Sequence, residues 1–130
     1  MIHGIGVDLV TVGRVRAVHE RFAERFERRV LTDAERAELG GLPDGADRAR
    51  FLAKRYAVKE AAVKALGTGE RGGVLLKDFG LAHDALGKPE LTVSGVGAER
   101  CERARVRARH VSLSDEGDSV VAFVVLEREP

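Results

Sequence analysis

The spacing of apolar residues changes from two to three or four after the first ten positions. Alternation over residues 1–10 predicts a β-strand, because successive side chains of a strand point to opposite faces. Spacings of three and four then predict an amphipathic helix, which Thr11 can cap. The apolar positions of the strand are Ile5, Val7 and Leu9, and those of the helix are Val15, Val18, Phe22 and Phe26.

Two further helices are predicted before the middle of the chain. The residues TDAE, Thr32 to Glu35, form a capping box that opens a short second helix, and the glycine- and proline-containing loop GGLPDGAD ends it. A third helix is expected from about Arg48 to Leu66, with Gly67 as its natural stop. Its largely buried side is expected to carry Phe51, Leu52, Arg55, Val58, Ala62 and Leu66.

Four strands and one helix are predicted in the second half of the chain. In chain order the segments are the strand DFGLAHD, the turn ALGK, the strand PELTVSG, the helix VGAERCERAR, the strand VRARHVSLS, the turn DEGD and the strand SVVAFVVLE. The last strand is nearly all apolar, as a central or interface strand would be. This order of elements predicts an α+β fold with a mainly antiparallel sheet packed with helices, in one small domain over residues 1–130.

Composition narrows the classes of function. The chain has 130 residues, 44% of them hydrophobic and 33% charged, which is typical of a soluble globular domain. A net charge of +1 argues against a general nucleic-acid-binding surface. The single Cys101 excludes an internal disulfide and a cysteine-rich metal site. No apolar run reaches membrane-spanning length and the N-terminus lacks a signal-peptide pattern, so we expect a cytoplasmic protein without a membrane partner.

The glycines of GTGERG, Gly67 to Gly72, match the letters of a dinucleotide-binding fingerprint. Such a fingerprint must follow a strand and open a helix, so that a phosphate meets the positive helix N-terminus. Here the glycines follow a helix and meet its negative end. We therefore reject a dinucleotide site.

Three charged residues are candidates for chemistry. Asp8 lies among apolar neighbours at the end of the first strand, where a carboxylate is costly without a partner, although it could simply cap the next helix. Glu60 and Lys64 are four residues apart on one helix, and they could form an ordinary surface ion pair. If Asp8 and Glu60 meet, two carboxylates could hold Mg²⁺ together with substrate phosphates, and Lys64 could neutralise phosphate charge.

Two other patterns allow a functional interpretation. The first helix is rich in arginine, and this basic face is either merely solvated or suited to an acidic protein partner; its members are Arg14, Arg16, Arg21, Arg25, Arg28 and Arg29. In HVSLS, the side chains of His110, Ser112 and Ser114 alternate with Val111 and Leu113. A serine–histidine catalytic pair is not expected there, because no nucleophile elbow or orienting acid accompanies it.

Four motifs in order and register carry a resemblance that covers nearly the whole chain. They are GIGVDLV with Arg14, FLAKRYAVKEAAVKALGTG, GKP at Gly87 to Pro89, and HVSLS followed by VVAFVVLE. Together they resemble the small holo-[acyl-carrier-protein] synthases, the short type of 4′-phosphopantetheinyl transferase. The resemblance implies that family's fold and the Mg²⁺-dependent transfer of phosphopantetheine from coenzyme A to a serine of apo-acyl carrier protein, releasing adenosine 3′,5′-bisphosphate.

The resemblance also implies roles for individual residues. Asp8 and Glu60 would ligate Mg²⁺, Asp8, Glu60 and Lys64 would be catalytic, and Glu60 or a metal-bound water would be the base. Coenzyme A would be contacted by Arg48, Arg55, Lys64, Gly87, Lys88, Pro89 and His110, and the carrier protein by Arg14 and Arg21. Family members are homotrimers with shared active sites, so GKP and HVSLS would face the metal-bearing helix of the next subunit.

One position departs from the family pattern. Where the family has a histidine near the coenzyme A phosphates, this chain has Asp115, which would repel phosphate, so no catalytic role is assigned to it. Two other functions stay open at the level of sequence: a non-catalytic basic module that binds an acidic carrier protein, and a nucleic-acid binder that uses the same arginines. The set Asp8, Glu60 and Lys64 favours the enzyme, because a binding module does not need it. The sequence leaves open whether fatty-acid or polyketide carrier proteins are served.

Overall fold

The computed structural model describes all residues, 1–130. Its elements in chain order are β1 (Ile2–Thr11), α1 (Val12–Phe22), α2 (Glu24–Val30), α3 (Asp33–Gly40), α4 (Arg48–Leu66), β2 (Phe79–His83), β3 (Pro89–Val93), α5 (Gly95–Arg103), β4 (Val106–Glu116) and β5 (Ser119–Arg128). Two single turns of 3₁₀-helix lie between α4 and β2. None of the helices combines the length and the apolar character that crossing a bilayer requires.

The strands form two antiparallel sheets, which confirms the α+β prediction. β5 lies between β1 and β4 in a three-stranded sheet, and β2 pairs with β3 as the predicted hairpin. β5 is therefore the central strand. Its inner face, formed by Val120, Ala122, Val124 and Leu126, is fully buried against the core.

The backbone of β1 lies directly on α4. A Cβ atom at Gly6 would stand 1.9 Å from the carbonyl oxygen of Ala61, and one at Gly4 would stand 2.0 Å from that of Ala65. Only glycine allows the strand and the helix to approach so closely. Asp8 is two residues after Gly6, so its side chain lies on the same face of β1 and also faces α4.

The apolar side chains of β1 lie on the other face of the sheet, which no element of the chain covers. Ile5, Val7 and Leu9 are 58%, 53% and 68% exposed, respectively. On the neighbouring strand they pair with Val125, Phe123 and Val121. We call these six residues the open sheet face. The strand itself was predicted correctly. Its alternating apolar residues, however, lie on the face that is exposed to solvent in this chain and not on the face that packs against α4.

The predicted first helix is in fact two helices, α1 and α2, and the expectation of one stripe through Phe26 is wrong. The chain breaks at Ala23, whose φ of 46° lies in the left-handed region. His19 Nε2 and Glu27 Oε2 are 2.8 Å apart across the break. The bend carries Phe26 onto the ring of Tyr56, with a centroid separation of 6.2 Å. On the α1 side, Phe22 is left 39% exposed.

The helix caps agree with the sequence in one case and differ in another. Thr32 and Glu35 form the predicted capping box at the start of α3, and Gly67 ends α4 in the left-handed conformation. Thr11 precedes α1, but its side chain does not cap the helix. Instead the first amide groups of α1, those of Val12 and Gly13, donate to the carbonyl and the carboxylate of Asp118 in the β4–β5 turn.

We predict that Gly6→Ala destabilises the protein by at least about 2 kcal/mol, because the added methyl overlaps backbone that cannot move without shifting the whole helix. Urea unfolding of both proteins measures the effect. Gly40→Ala is the matched control, since a Cβ there meets nothing within 4 Å and alanine favours the helix. Equal stabilities of Gly6→Ala and the wild type would contradict the close approach of β1 to α4.

Candidate active site

One cleft brings together residues from β1, α1, α2 and α4. Its volume is about 650 Å³. The polar residues that line it are Asp8, Thr11, Arg14, Tyr56, Glu60 and Lys64, and the apolar residues are Leu9, Val10, Val15, Val18 and Phe26. The three candidate residues for chemistry, Asp8, Glu60 and Lys64, therefore share one site. The structure confirms that they meet.

Lys64 binds β1 and not its helix neighbour. Its Nζ donates to Asp8 Oδ1 at 3.0 Å and to the carbonyl oxygen of Val7 at 2.9 Å. The Asp8 side chain is only 16% exposed, so the ammonium group partly offsets the cost of its burial. The interpretation of Lys64 as a simple ion-pair partner of Glu60 is thus wrong, and so is that of Asp8 as a helix cap.

Glu60 is half-buried in the cleft beside Tyr56. Burial raises the pKa of the Glu60 carboxyl above its ordinary value, and the Asp8 and Glu70 carboxylates add to this, whereas hydrogen bonding from Tyr56 and the charge of Lys64 oppose it. Burial and the neighbouring Glu60 raise the pKa of Tyr56 to about 12, so the phenol stays protonated. A carboxylate with a raised pKa is a better proton acceptor near neutral pH than an ordinary one.

Sequence reasoning missed Tyr56, although a signal was present. Tyr56, Glu60 and Lys64 follow one another at intervals of four residues and so lie along one face of α4. The stacking of Phe26 on the Tyr56 ring closes the site on the α2 side. That contact depends on the break between α1 and α2, for which the sequence has no glycine or proline as a signal.

The donor set of the cleft fits a magnesium ion that is completed by its substrate. Asp8 and Glu60 supply carboxylate oxygens from two different elements, and no group of three or more histidine, cysteine, aspartate or glutamate side chains gathers anywhere in the chain. Mg²⁺ is commonly held by one or two carboxylates together with waters and substrate phosphates. The two residues fit that mode and do not form a cage made of protein ligands alone.

A second, basic cavity of about 270 Å³ lies along the N-terminal half of α4, and Arg55 belongs to it and not to the cleft. Arg55 is buried, with its guanidinium 3.6 Å from the centroid of the Phe51 ring and 3.5 Å from a Glu38 oxygen. Burial lowers the pKa of Arg55. Arg48 lines neither cavity and donates to the carbonyl oxygen of Leu42 at 2.9 Å.

The carboxylate of Asp115 is ion-paired, because two cationic side chains that line the basic cavity bind it. Arg50 Nη1 donates to Asp115 Oδ2 at 2.8 Å, and Lys54 Nζ lies 3.7 Å from the other oxygen. Arg50 also donates to the carbonyl oxygen of Gly117 at 2.7 Å, which ties α4 to the β4–β5 turn. Sequence reasoning missed both Arg50 and Lys54. The repulsion of phosphate that we expected from Asp115 alone is reduced by these partners.

The remaining predicted contacts of coenzyme A lie outside the cleft of their own chain. Gly87, Lys88 and Pro89 are at the turn between β2 and β3, where Gly87 has a φ of 87° and the Asp84 carboxylate accepts the Lys88 amide at 2.9 Å. His110 is exposed on β4, with Nε2 3.0 Å from a Glu127 oxygen. Within one chain the structure does not bring these residues to Asp8 and Glu60.

The two arginines assigned to a protein partner differ in position. Arg14 lines the mouth of the cleft. Arg21 lies near the C-terminal end of α1. Its guanidinium is over the exposed ring of Phe22, 5.1 Å from the ring centroid. A basic and partly apolar surface therefore runs along α1 from the cleft.

Comparisons with known proteins agree over almost the whole chain. The family model of the 4′-phosphopantetheinyl transferase superfamily matches residues 4–124. A holo-[acyl-carrier-protein] synthase of Vibrio cholerae serotype O1 is 46% identical over 128 residues, which cover 98% of this chain and 99% of that protein.

Solved structures show the same likeness. The crystal structure of a holo-[acyl-carrier-protein] synthase from Neisseria meningitidis has a TM-score of 0.90 at 41% identity and covers 98% of this chain and 100% of its own. A Bacillus anthracis holo-(acyl-carrier-protein) synthase in complex with CoA (3′,5′-ADP) has a TM-score of 0.78 at 36% identity, with 99% of both chains covered. These likenesses confirm the fold expected from the sequence motifs.

We predict that Glu60→Gln is at least as stable as the wild type at pH 7.5 in the absence of divalent ions. The raised pKa means that the folded state favours the protonated carboxyl, so the wild type loses stability as the pH rises from about the ordinary value of 4.5 through the folded value. The advantage of glutamine should therefore shrink as the pH falls towards that range. Thermal unfolding in EDTA over a series of pH values measures it.

The matched control is Glu24→Gln, whose side chain is 70% exposed in a surface pair with Arg28. We expect little change there, because exposed pairs contribute about 0–1 kcal/mol. A Glu60→Gln protein that is clearly less stable than the wild type at pH 7.5 would contradict the account of this carboxylate.

Proposed function

The chain belongs to the 4′-phosphopantetheinyl transferase superfamily, among its holo-[acyl-carrier-protein] synthases, and from this premise we propose its reaction and mechanism. The enzyme transfers 4′-phosphopantetheine from coenzyme A to a serine hydroxyl of an apo-acyl carrier protein and releases adenosine 3′,5′-bisphosphate. The observation that carries the proposal is the convergence of Asp8 and Glu60 with Lys64 in one cleft.

Asp8 and Glu60 hold Mg²⁺ in this proposal. When bound, the ion acts as a Lewis acid on the diphosphate of coenzyme A and offsets the charge that develops on the leaving group. Lys64 already lies against Asp8, at the edge of the cleft, and its side chain is about half exposed. There it can bind phosphate oxygens without leaving the site.

The carrier serine must lose a proton as its oxygen attacks phosphorus. Glu60 is the acceptor that we assign, directly or through one water, because its carboxylate lies on the wall of the cleft that the serine must enter. Tyr56 stays protonated beside Glu60, where its hydroxyl can donate to that carboxylate.

The open sheet face supports a homotrimer with shared active sites. Six apolar side chains of β1 and β5 form a continuous patch, and covering it would gain about 25 cal/mol per Å² of apolar area. Gly87 to Pro89 and His110 lie away from their own cleft. A neighbouring subunit would supply them, and Arg55 and Arg48 would contribute to the binding of coenzyme A phosphates.

The carrier protein docks along α1 in this proposal. Arg14 at the mouth of the cleft and Arg21 beyond it face an acidic partner, and the exposed ring of Phe22 adds apolar contact. Charge complementarity of this kind raises the rate of encounter and is screened by salt over about 8–10 Å.

The function is tested by incubating the protein with apo-acyl carrier protein, coenzyme A and Mg²⁺ and measuring the intact mass of the carrier. We expect the mass of one phosphopantetheine to be added. Asp8→Asn should fold normally and lower the rate by at least about 100-fold, because half of the metal-binding carboxylates is lost. Binding of Mn²⁺, followed by titration calorimetry, should weaken in the same variant.

The alternative, a non-catalytic basic module that binds an acidic carrier protein, gives a different result. Such a module would bind the carrier in a salt-sensitive manner and leave its mass unchanged. The absence of any mass increase with the wild type at several carrier proteins would refute the proposed reaction. Unchanged turnover of Asp8→Asn at limiting Mg²⁺ would refute the metal site alone.

Shared sites predict complementation between two inactive proteins. One carries Glu60→Gln, and the other carries Lys88→Glu with Pro89→Ala in the β2–β3 turn. Mixed trimers made by joint refolding should regain part of the wild-type activity, because some sites combine two intact halves. Activity assays and light scattering of the mixture measure this. Full activity of a demonstrated monomer at assay concentration would exclude the shared site.

A further inference from the structure

One charged pair is fully buried outside the cleft and has no part in the chemistry above. Lys59 is 0% exposed and Glu35 is 1% exposed. Lys59 Nζ donates to Glu35 Oε1 at 2.6 Å and also to the carbonyl oxygen of Phe79. The two Glu35 oxygens further accept the amides of Thr32 and Leu81, at 2.9 and 3.0 Å respectively.

This network joins two elements, α3 and β2, to the helix α4. Glu35 lies in the first turn of α3, Lys59 on α4, and Phe79 and Leu81 on β2. Each bond in it is short and directional, in contrast to the apolar packing around it. An apolar contact tolerates small sliding and rotation of a helix, whereas a set of bonds to fixed backbone groups does not.

Stability alone is a weak reason for such a pair. Taking two charges out of water is costly, and a buried ion pair can often be replaced by uncharged groups of similar volume without loss of stability. Burial lowers the pKa of Lys59, which is a sign of that cost, while the Glu35 carboxylate opposes the shift. The benefit of the pair is therefore expected in the orientation that it gives to the elements it joins.

Lys59 immediately precedes Glu60, so the rotation of α4 that satisfies Lys59 also sets the direction of Glu60. Consecutive residues of a helix are about 100° apart, and the side chains end roughly 5 Å from the axis. A rotation of about 20° would move the Glu60 carboxylate by about 2 Å. Displacements of about 1 Å can lower a catalytic rate about 100-fold. The close contact of Gly6 with Ala61 limits the distance of β1 from α4, and the bonds of Lys59 to Glu35 and Phe79 oppose a rotation of α4.

We propose that Lys59 and Glu35 form a positioning pair, which holds the rotation of α4 at which Glu60 meets Asp8 in the cleft. The proposal rests on the proposed function for its effect on turnover. Its effect on metal binding does not depend on turnover, because Asp8 and Glu60 must converge for either purpose. The pair itself touches no substrate.

The test compares the wild type with Lys59→Met and with the double variant Lys59→Met/Glu35→Gln. The single variant leaves a carboxylate buried without its cation, so we expect it to be strongly destabilised. In the double variant methionine approximates the length of lysine, and glutamine keeps an oxygen to accept the Thr32 or Leu81 amide. We expect the double variant to unfold within a few degrees of the wild type.

Two functional readouts separate positioning from stability. In the double variant we expect kcat to fall about 10- to 100-fold with little change in the KM for carrier protein, and Mn²⁺ binding by calorimetry to weaken about 10-fold. Cys101→Ala, which removes a buried side chain on α5 away from the cleft, is the control. It should lower the unfolding temperature and leave kcat and Mn²⁺ binding unchanged.

Each other outcome overturns the proposal. A double variant with wild-type kcat and Mn²⁺ affinity would show that the rotation of α4 does not need the pair. A double variant that is unfolded or much less stable would show that the pair serves stability. If the wild type modifies no carrier protein, the proposed reaction fails, but the Mn²⁺ comparison still decides the positioning role.

Discussion

The direct contact between the backbone of β1 and the backbone of α4 is the constraint on which both the candidate site and the outer surface depend. Gly4 and Gly6 leave no room for a side chain between the two elements. Because side chains alternate along a strand, this contact turns Asp8 towards α4 and turns Ile5, Val7 and Leu9 away from it. The same two glycines thus bring a carboxylate to Glu60 and leave an apolar face of the sheet exposed.

α4 organises the molecule because each of its faces has a different partner. Ala61 and Ala65 meet β1, Lys59 reaches α3 and β2, and Glu60 and Lys64 line the cleft. Near its N-terminus, Arg50 binds Asp115 and the β4–β5 turn. A change in any of these contacts would shift the α4 residues that line the cleft, because one rigid helix carries all of them. This explains why an alanine-rich helix bears so many charges at fixed spacing.

Local signals in the sequence predicted most elements correctly. The Thr32–Glu35 capping box, the extent of α4, the ALGK hairpin and the DEGD turn all depend on residues close in sequence, and each was confirmed. The convergence of Asp8 with Glu60 was also expected, but from family resemblance and not from spacing. The break at Ala23 escaped prediction, because no glycine or proline marks it and the contact of Phe26 that accompanies it is with Tyr56, which is distant in sequence. The burial of Lys59 and the Arg50–Asp115 pair likewise depend on residues distant in sequence.

The central claim is that Asp8 and Glu60 bind one divalent cation together. A double-mutant cycle on Mn²⁺ affinity tests it most directly, with Asp8→Asn, Glu60→Gln and both changes compared with the wild type by calorimetry. Residues that share a ligand couple by about 0.5–3 kcal/mol. The account predicts that each single variant binds Mn²⁺ more weakly and that the double variant loses clearly less affinity than the sum of the two. Strictly additive losses, or a single variant with wild-type affinity, would contradict a shared ion.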